Sequence, residues 1–186
     1  MSIVIESSKT LTIPIPPSFI KETIELREGA SADIIIEGSR KLELEVYLKE
    51  PGASLRIFGI FHGREQDEQH VVLRVFQDAP QTVCSVYFRS ALSGSSSSLF
   101  DGMIRMGENA VGARGYLSYR ALLLSDKARA KPIPRLEVLT KRVASSGHEA
   151  AVGKINEEQL FYMESRGLKK EEAERLIVEG FLRIPG

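Results

Sequence analysis

Through residues 3–139 apolar and polar positions alternate in short bursts, with hardly any helical period. Leu42, Leu44, Val46 and Leu48 alternate with Lys41, Glu43, Glu45 and Tyr47, and further strand-like bursts run through residues 55–61, 71–76 and 83–88. A period of two puts one set of side chains on one face, the pattern of a half-buried β-strand. The bursts begin about 10 to 16 residues apart, separated by breakers such as Glu37-Gly38-Ser39, Pro51-Gly52, His62-Gly63, Asp78-Ala79-Pro80 and Gly107-Glu108-Asn109. Regular short strands predict a sandwich, a barrel or a stacked β-solenoid, and no strict repeat separates the three. Pro14, Pro16 and Pro17 mark a bend that a central strand would not tolerate.

After Gly153 the period changes to that of a helix. Asn156 is a good N-cap, Gln159 stands where a capping box wants it, and Ile155 and Leu160 occupy the staple positions, so a helix is predicted from Glu157. Gly167 suits the left-handed position that stops it at Arg166, with Leu168 placed to touch Met163. In the next segment Ala173, Leu176, Ile177, Gly180 and Phe181 form one stripe, and Glu171 with Arg175 and Glu179 with Arg183 are spaced to pair. The reading is a mainly β core domain over residues 1–153 and a C-terminal α-helical hairpin over residues 154–186.

The chain has 186 residues, long enough for a substantial core, and 25 basic residues balance 25 acidic ones. No global field draws nucleic acid or an anionic membrane, and no apolar run approaches the roughly 20 residues of a spanning helix. Cys84 is the single cysteine, so no intrachain disulfide forms; with no signal segment in view, the expected location is cytoplasmic. Residues 119–142 carry seven bases against two acids but hardly any aromatic platforms, which argues for a solvated edge over a nucleic-acid stripe. Gly107 and Gly112 have P-loop spacing without the Lys-Ser/Thr pair, and residues 93–98 read as an exposed serine turn without a nucleophile elbow. His62 and His70, eight apart around an acidic stretch, lack compact metal-ligand spacing.

Residues 122–182 hold the densest run of motifs: LLLSDKA, a proline before LEV, His148-Glu149-Ala150 leading to Val152-Gly153, then EEQLFYMESRG and EEAERLIVEGFL. This run resembles the C-terminal part of the SufB/SufD proteins of iron–sulfur cluster assembly, and the likeness continues upstream through residues 71–121, including FDGMIRMGENAVGARGY. The resemblance implies a right-handed β-helix (β-solenoid) core, here shortened and without the family's N-terminal helical region. It implies a non-catalytic role beside a SufC-type ABC ATPase, as a homodimer or paired with another SufB/SufD-like chain.

Carried onto this sequence, the resemblance assigns His148 and Glu149 to the region where a nascent cluster is held. It assigns the ATPase docking segment to the hairpin, through Glu158, Gln159, Leu160, Phe161, Tyr162, Arg166, Glu172, Leu176 and Phe181. An inert His-Glu pair in a turn, and a hairpin that merely caps the β body, are the bland readings of the same residues. The family's cysteines align with Tyr119 and Ser146, so neither thiol is present, and clusters are held chiefly by thiolates. Hence no cofactor is expected to be bound stably, only transient iron or a transient iron–sulfur cluster. Two rivals remain: an ATPase-associated adaptor that has lost cluster chemistry, and a β-helix protein acting on carbohydrate.

Overall fold

The computed structural model describes residues 2–14, 20–38 and 41–183. Among the described residues twelve strands alternate between two parallel six-stranded sheets, ordered β1-β3-β5-β7-β9-β11 and β12-β10-β8-β6-β4-β2. Each coil of the chain contributes one strand to each sheet, so the core is a flattened β-solenoid. Two helices follow, α1 (Glu157–Ser165) and α2 (Lys170–Leu182).

Strand length grows along the solenoid, from β1 (Ser2–Ile5) to ten-residue strands such as β8 (Val83–Leu92) and β10 (Arg114–Leu123). Coil length grows with it: Ser2 pairs with Thr23 at one end, Arg114 with Ser145 at the other. That drift is why no fixed repeat shows in the sequence. The alternating residues of β5 (Lys41–Leu48) behave as their pattern predicts, with Leu42, Leu44, Val46 and Leu48 all buried. They stack in register on Val71, Leu73, Val75 and Gln77 of β7 (Glu68–Gln77).

The core fills with aliphatic side chains from both sheets and one aromatic column. Phe88 lies 4.4 Å from Phe100, and Phe100 lies 5.3 Å from Tyr119, centroid to centroid. Space for the column comes from glycine. A Cβ on Gly59 of β6 (Ser54–Gly63) would fall inside the Phe88 ring, and one on Gly102 of β9 (Ser97–Met106) would strike Phe100. Tyr119 is fully buried, and its hydroxyl donates to Ser98 Oγ at 2.9 Å, with the Ser90 hydroxyl 3.3 Å away on its other side. Ser98 in turn donates to Gln69 Oε1 at 3.0 Å, which closes a satisfied polar cluster in an apolar interior. Residues 93–98 are therefore more than an exposed turn, since Ser96 and Ser98 are buried.

The last coil is uncovered. β11 (Arg129–Val138) and β12 (Ser145–Lys154) each form an edge of their sheet at this end; β12 is largely exposed and β11 about half so. In β11 the odd residues bond back to β9, as Arg129 N donating to Ser96 O at 3.0 Å shows, so the amides of even residues face outward. Pro132 and Pro134 hold two of those positions, where the missing N–H costs no ladder bond. β12 has no proline, and its outward backbone groups belong to Ser146, His148, Ala150, Val152 and Lys154. At the other end Pro14 closes β2 (Lys9–Pro14), also an edge strand; Pro16 and Pro17 lie outside the described residues.

The hairpin forms by the chemistry that the sequence predicts. Asn156 Oδ1 accepts from Gln159 N at 3.0 Å, Gly167 has φ of +95°, and Leu168 N donates to Met163 O at 3.3 Å. α2 lies against the ends of β8 and β10, where Val178 packs with Ala91 and Leu122. Among the described residues Arg175 pairs with Glu179 at 3.1 Å, in place of the Glu171–Arg175 and Glu179–Arg183 pairs expected from spacing. Among the described residues no helix is long and apolar enough to cross a membrane.

Candidate functional site

His148 stands in the middle of β12, not in a turn. It pairs with Leu117, and Glu149 with Ser118. Leu117 is a fully buried core residue, so His148 emerges on the core-lining face of the last strand, where no further coil covers it and the residue is exposed. Ser146 shares that face, paired with the buried Gly115. The backbone N–H and C=O of His148 point along the open edge. One residue therefore offers an imidazole and unpaired main-chain groups together.

Glu149 leaves the opposite, outer face. Its Oε1 accepts from Ser118 Oγ at 2.8 Å and from Arg120 Nε at 2.9 Å, and Arg120 NH2 lies 2.9 Å away. Hydrogen bonding from Arg120, then from Ser118, holds the Glu149 carboxyl below the usual carboxylate range. The two neighbours are thus not brought to one ligand sphere, and Glu149 spends its oxygens fastening β12 to β10. Arg120 and Ser118 were not singled out from sequence. They sit one coil upstream of Glu149, and only the coil length could have paired them.

The other candidate ligands are dispersed. His62 lies on β6 and His70 on β7, in different sheets. Burial, then the Arg64 charge, pushes the His62 imidazole down. Cys84 is buried, and desolvation pushes its thiol far above the ordinary range, so it offers no thiolate. Tyr119 lies two residues beyond Leu117 on the core-lining face, with Phe100 stacked on its ring. Among the described residues no three His, Cys, Asp or Glu side chains gather where a metal ion could be held.

The hairpin residues divide into two groups. Leu160 is buried, and Phe181 is half-buried with the Arg89 guanidinium 5.5 Å above its ring. Phe161 leaves 73% of its surface in solvent, Tyr162 57% and Leu176 40%. Arg166 folds back so that NH2 donates to Tyr162 Oη at 3.1 Å. Glu158, Gln159 and Glu172 are exposed beside them. Capping the β body thus uses one face of the hairpin and leaves three large apolar side chains without cover.

The basic run of residues 119–142 is split between structures. Arg120 binds Glu149, while Arg135 joins Arg74 around Asp101, with NH2 to Oδ1 at 2.6 Å and Arg74 NH2 to Oδ2 at 3.0 Å. Burial alone would raise the Asp101 carboxyl, but the Arg74 and Arg135 hydrogen bonds and charges prevail and lower it.

Residues 23–181 match the family model described as SUF system FeS cluster assembly, SufBD core domain. Among curated proteins the chain is similar to the iron–sulfur cluster assembly SufBD family protein ML0594 of Mycobacterium leprae, 31% identical over 150 residues. That alignment covers 76% of this chain and 38% of the relative. It is also similar to SufBD family proteins Rv1462 of Mycobacterium tuberculosis and SAUSA300_0822 of Staphylococcus aureus, each 34% identical over 70% of this chain and covering 34% and 27% of the relative. The chain therefore spans about a third of the length of these relatives.

Proposed function

The chain belongs to the SufBD family of iron–sulfur cluster assembly proteins, and from that premise we propose that it is a non-catalytic scaffold component of that assembly, working with a SufC-type ABC ATPase. The observation that carries this reading is the uncovered last coil, which presents His148 with a free strand edge on the core-lining side. An imidazole is a competent ligand for iron, and a site left half-built by one chain is completed by another.

The cluster is cargo in this reading. His148 supplies one donor, Ser146 a hydroxyl beside it, and the thiolates come from the chain that closes the open end, either a second copy or a longer SufB/SufD-like protein. Glu149 and Arg120 act on the outer face, keeping β12 in register so that His148 stays aimed. ATP is bound and hydrolysed by the partner, which docks on Phe161, Tyr162 and Leu176 of the hairpin. The protein works in the cytoplasm.

Anaerobic reconstitution with ferrous iron and sulfide tests the proposal, with and without a SufC-type ATPase and with His148→Ala alongside wild type. Bound iron and visible absorption that depend on His148 are the expected result. Association with the ATPase but no iron retention in any condition leaves an adaptor that has lost cluster chemistry, and the scaffold reading fails.

A further inference from the structure

On the flank of α2 away from Leu176, a cleft of about 480 Å³ separates the helix from the coils beside it. Its inner wall follows from the strand register. His62 pairs with Ala91 and Ala91 with Leu122, while Arg64, Ser93 and Leu124 are the first residues beyond those three strands. Val178 packs on Ala91, which leaves His62, one strand further out, bordering the gap. The outer wall is a single stripe of α2, formed by Glu171, Glu174, Val178 and Leu182 at spacings of three and four.

The two walls carry opposite charge and do not touch. Arg175, also on the helix side, is matched by Glu179 at 3.1 Å, but among the described residues no ion pair reaches Arg64, Glu171 or Glu174. Arg64 NH2 lies 3.5 Å from His62 Nδ1, and burial, then the Arg64 charge, pushes that imidazole down with no carboxylate offsetting them. A neutral ring that accepts at Nδ1 carries its proton on Nε2, so His62 offers a donor beside the guanidinium. Opposite them Glu174 is half-buried, where its charge is less screened by salt. Leu124, Val178 and Leu182 supply apolar surface between the charged groups.

We propose that this cleft binds a short peptide with free termini, its carboxylate on Arg64 and His62, its ammonium on Glu174 and Glu171, and an apolar side chain over Leu124, Val178 and Leu182. Cavities of this size hold small ligands, and opposed charges on two walls favour a zwitterion over an anion or a cation alone. The site lies across α2 from the docking residue Leu176, so it stands apart from the ATPase reading.

NMR titration of the full chain at low salt tests it, using the tripeptide Gly-Leu-Gly beside its N-acetylated and C-amidated forms, which lack one charge each. The free tripeptide is expected to saturate, and each blocked form to bind at least about threefold more weakly. Arg64→Gln is expected to erase the penalty of the amide alone, and Glu174→Gln that of the acetyl form alone, as a thermodynamic cycle requires. The free carboxylate should also raise the His62 pKa, read from its ring-proton shifts, and the amide should not. No saturation by the free tripeptide overturns the proposal. Blocked forms that bind as tightly as the free one overturn it too, a comparison made on wild type that needs no variant to fold. Penalties undiminished in both variants put the peptide elsewhere and overturn the assignment.

Discussion

Arg120 grips Glu149 across the last two strands of one sheet, with Nε and NH2 each 2.9 Å from Oε1, while His148, one residue earlier, faces the other way. The pair separates two jobs that adjacent residues in sequence would be credited with jointly.

Glu149→Gln tests that separation. Its carboxyl is held low in the folded state, so the contribution is present above the ordinary glutamate pKa of about 4.3 and is lost as pH falls through the folded value. The pair is partly exposed, so the expected loss at pH 7 is only about 0.5 kcal/mol, shrinking below about pH 4. Iron retention should stay at the wild-type level. Urea titrations at pH 7 and pH 4, with an iron assay, check both parts; iron loss matching that of His148→Ala would make Glu149 a ligand after all.

Asp101→Asn removes a carboxylate shared by Arg74 and Arg135 and leaves two guanidinium groups facing each other. Charge-assisted bonds at a site this sheltered predict a loss of about 2 kcal/mol at neutral pH. The folded carboxyl is lowered, so the difference from wild type should hold above about pH 4 and fade as pH falls further. Melting curves across that range decide it, and a pH-independent difference would point to packing instead.

Tyr119→Phe keeps the aromatic column and deletes one hydroxyl from the Ser90–Ser98–Gln69 cluster. With Ser98 left short of a partner, an equilibrium loss of about 1 to 2 kcal/mol in chemical denaturation is expected. An unchanged midpoint would mean that the hydroxyl contributes nothing net.

Phe161→Ala changes a side chain that is 73% exposed, so its melting temperature should match wild type. Affinity for a SufC-type ATPase is expected to fall by tenfold or more, read by calorimetry. Unchanged affinity would move the docking surface off this helix.

What could be read ahead of the structure followed the range of the interactions. The alternation of Leu42 to Leu48 and the caps at Asn156 and Gly167 act within a few residues, and both gave the right elements at the right places. Contacts one coil apart were invisible in the residues themselves. Arg120 and Glu149, or Tyr119 and Ser90, meet only because of a coil whose length drifts, and it took the family resemblance to identify a solenoid. For the same reason His148-Glu149 read as one site, when a strand's period of two sends the side chains apart. In α2, with four glutamates near Arg175, spacing alone could not choose Glu179 over Glu171.

The prolines of β11 also make the two edges of the last coil unequal as templates. Pro132 and Pro134 take two outward donors from β11, while every outward residue of β12 keeps its N–H, so a strand added at this end finds its full set of backbone partners only on the β12 side.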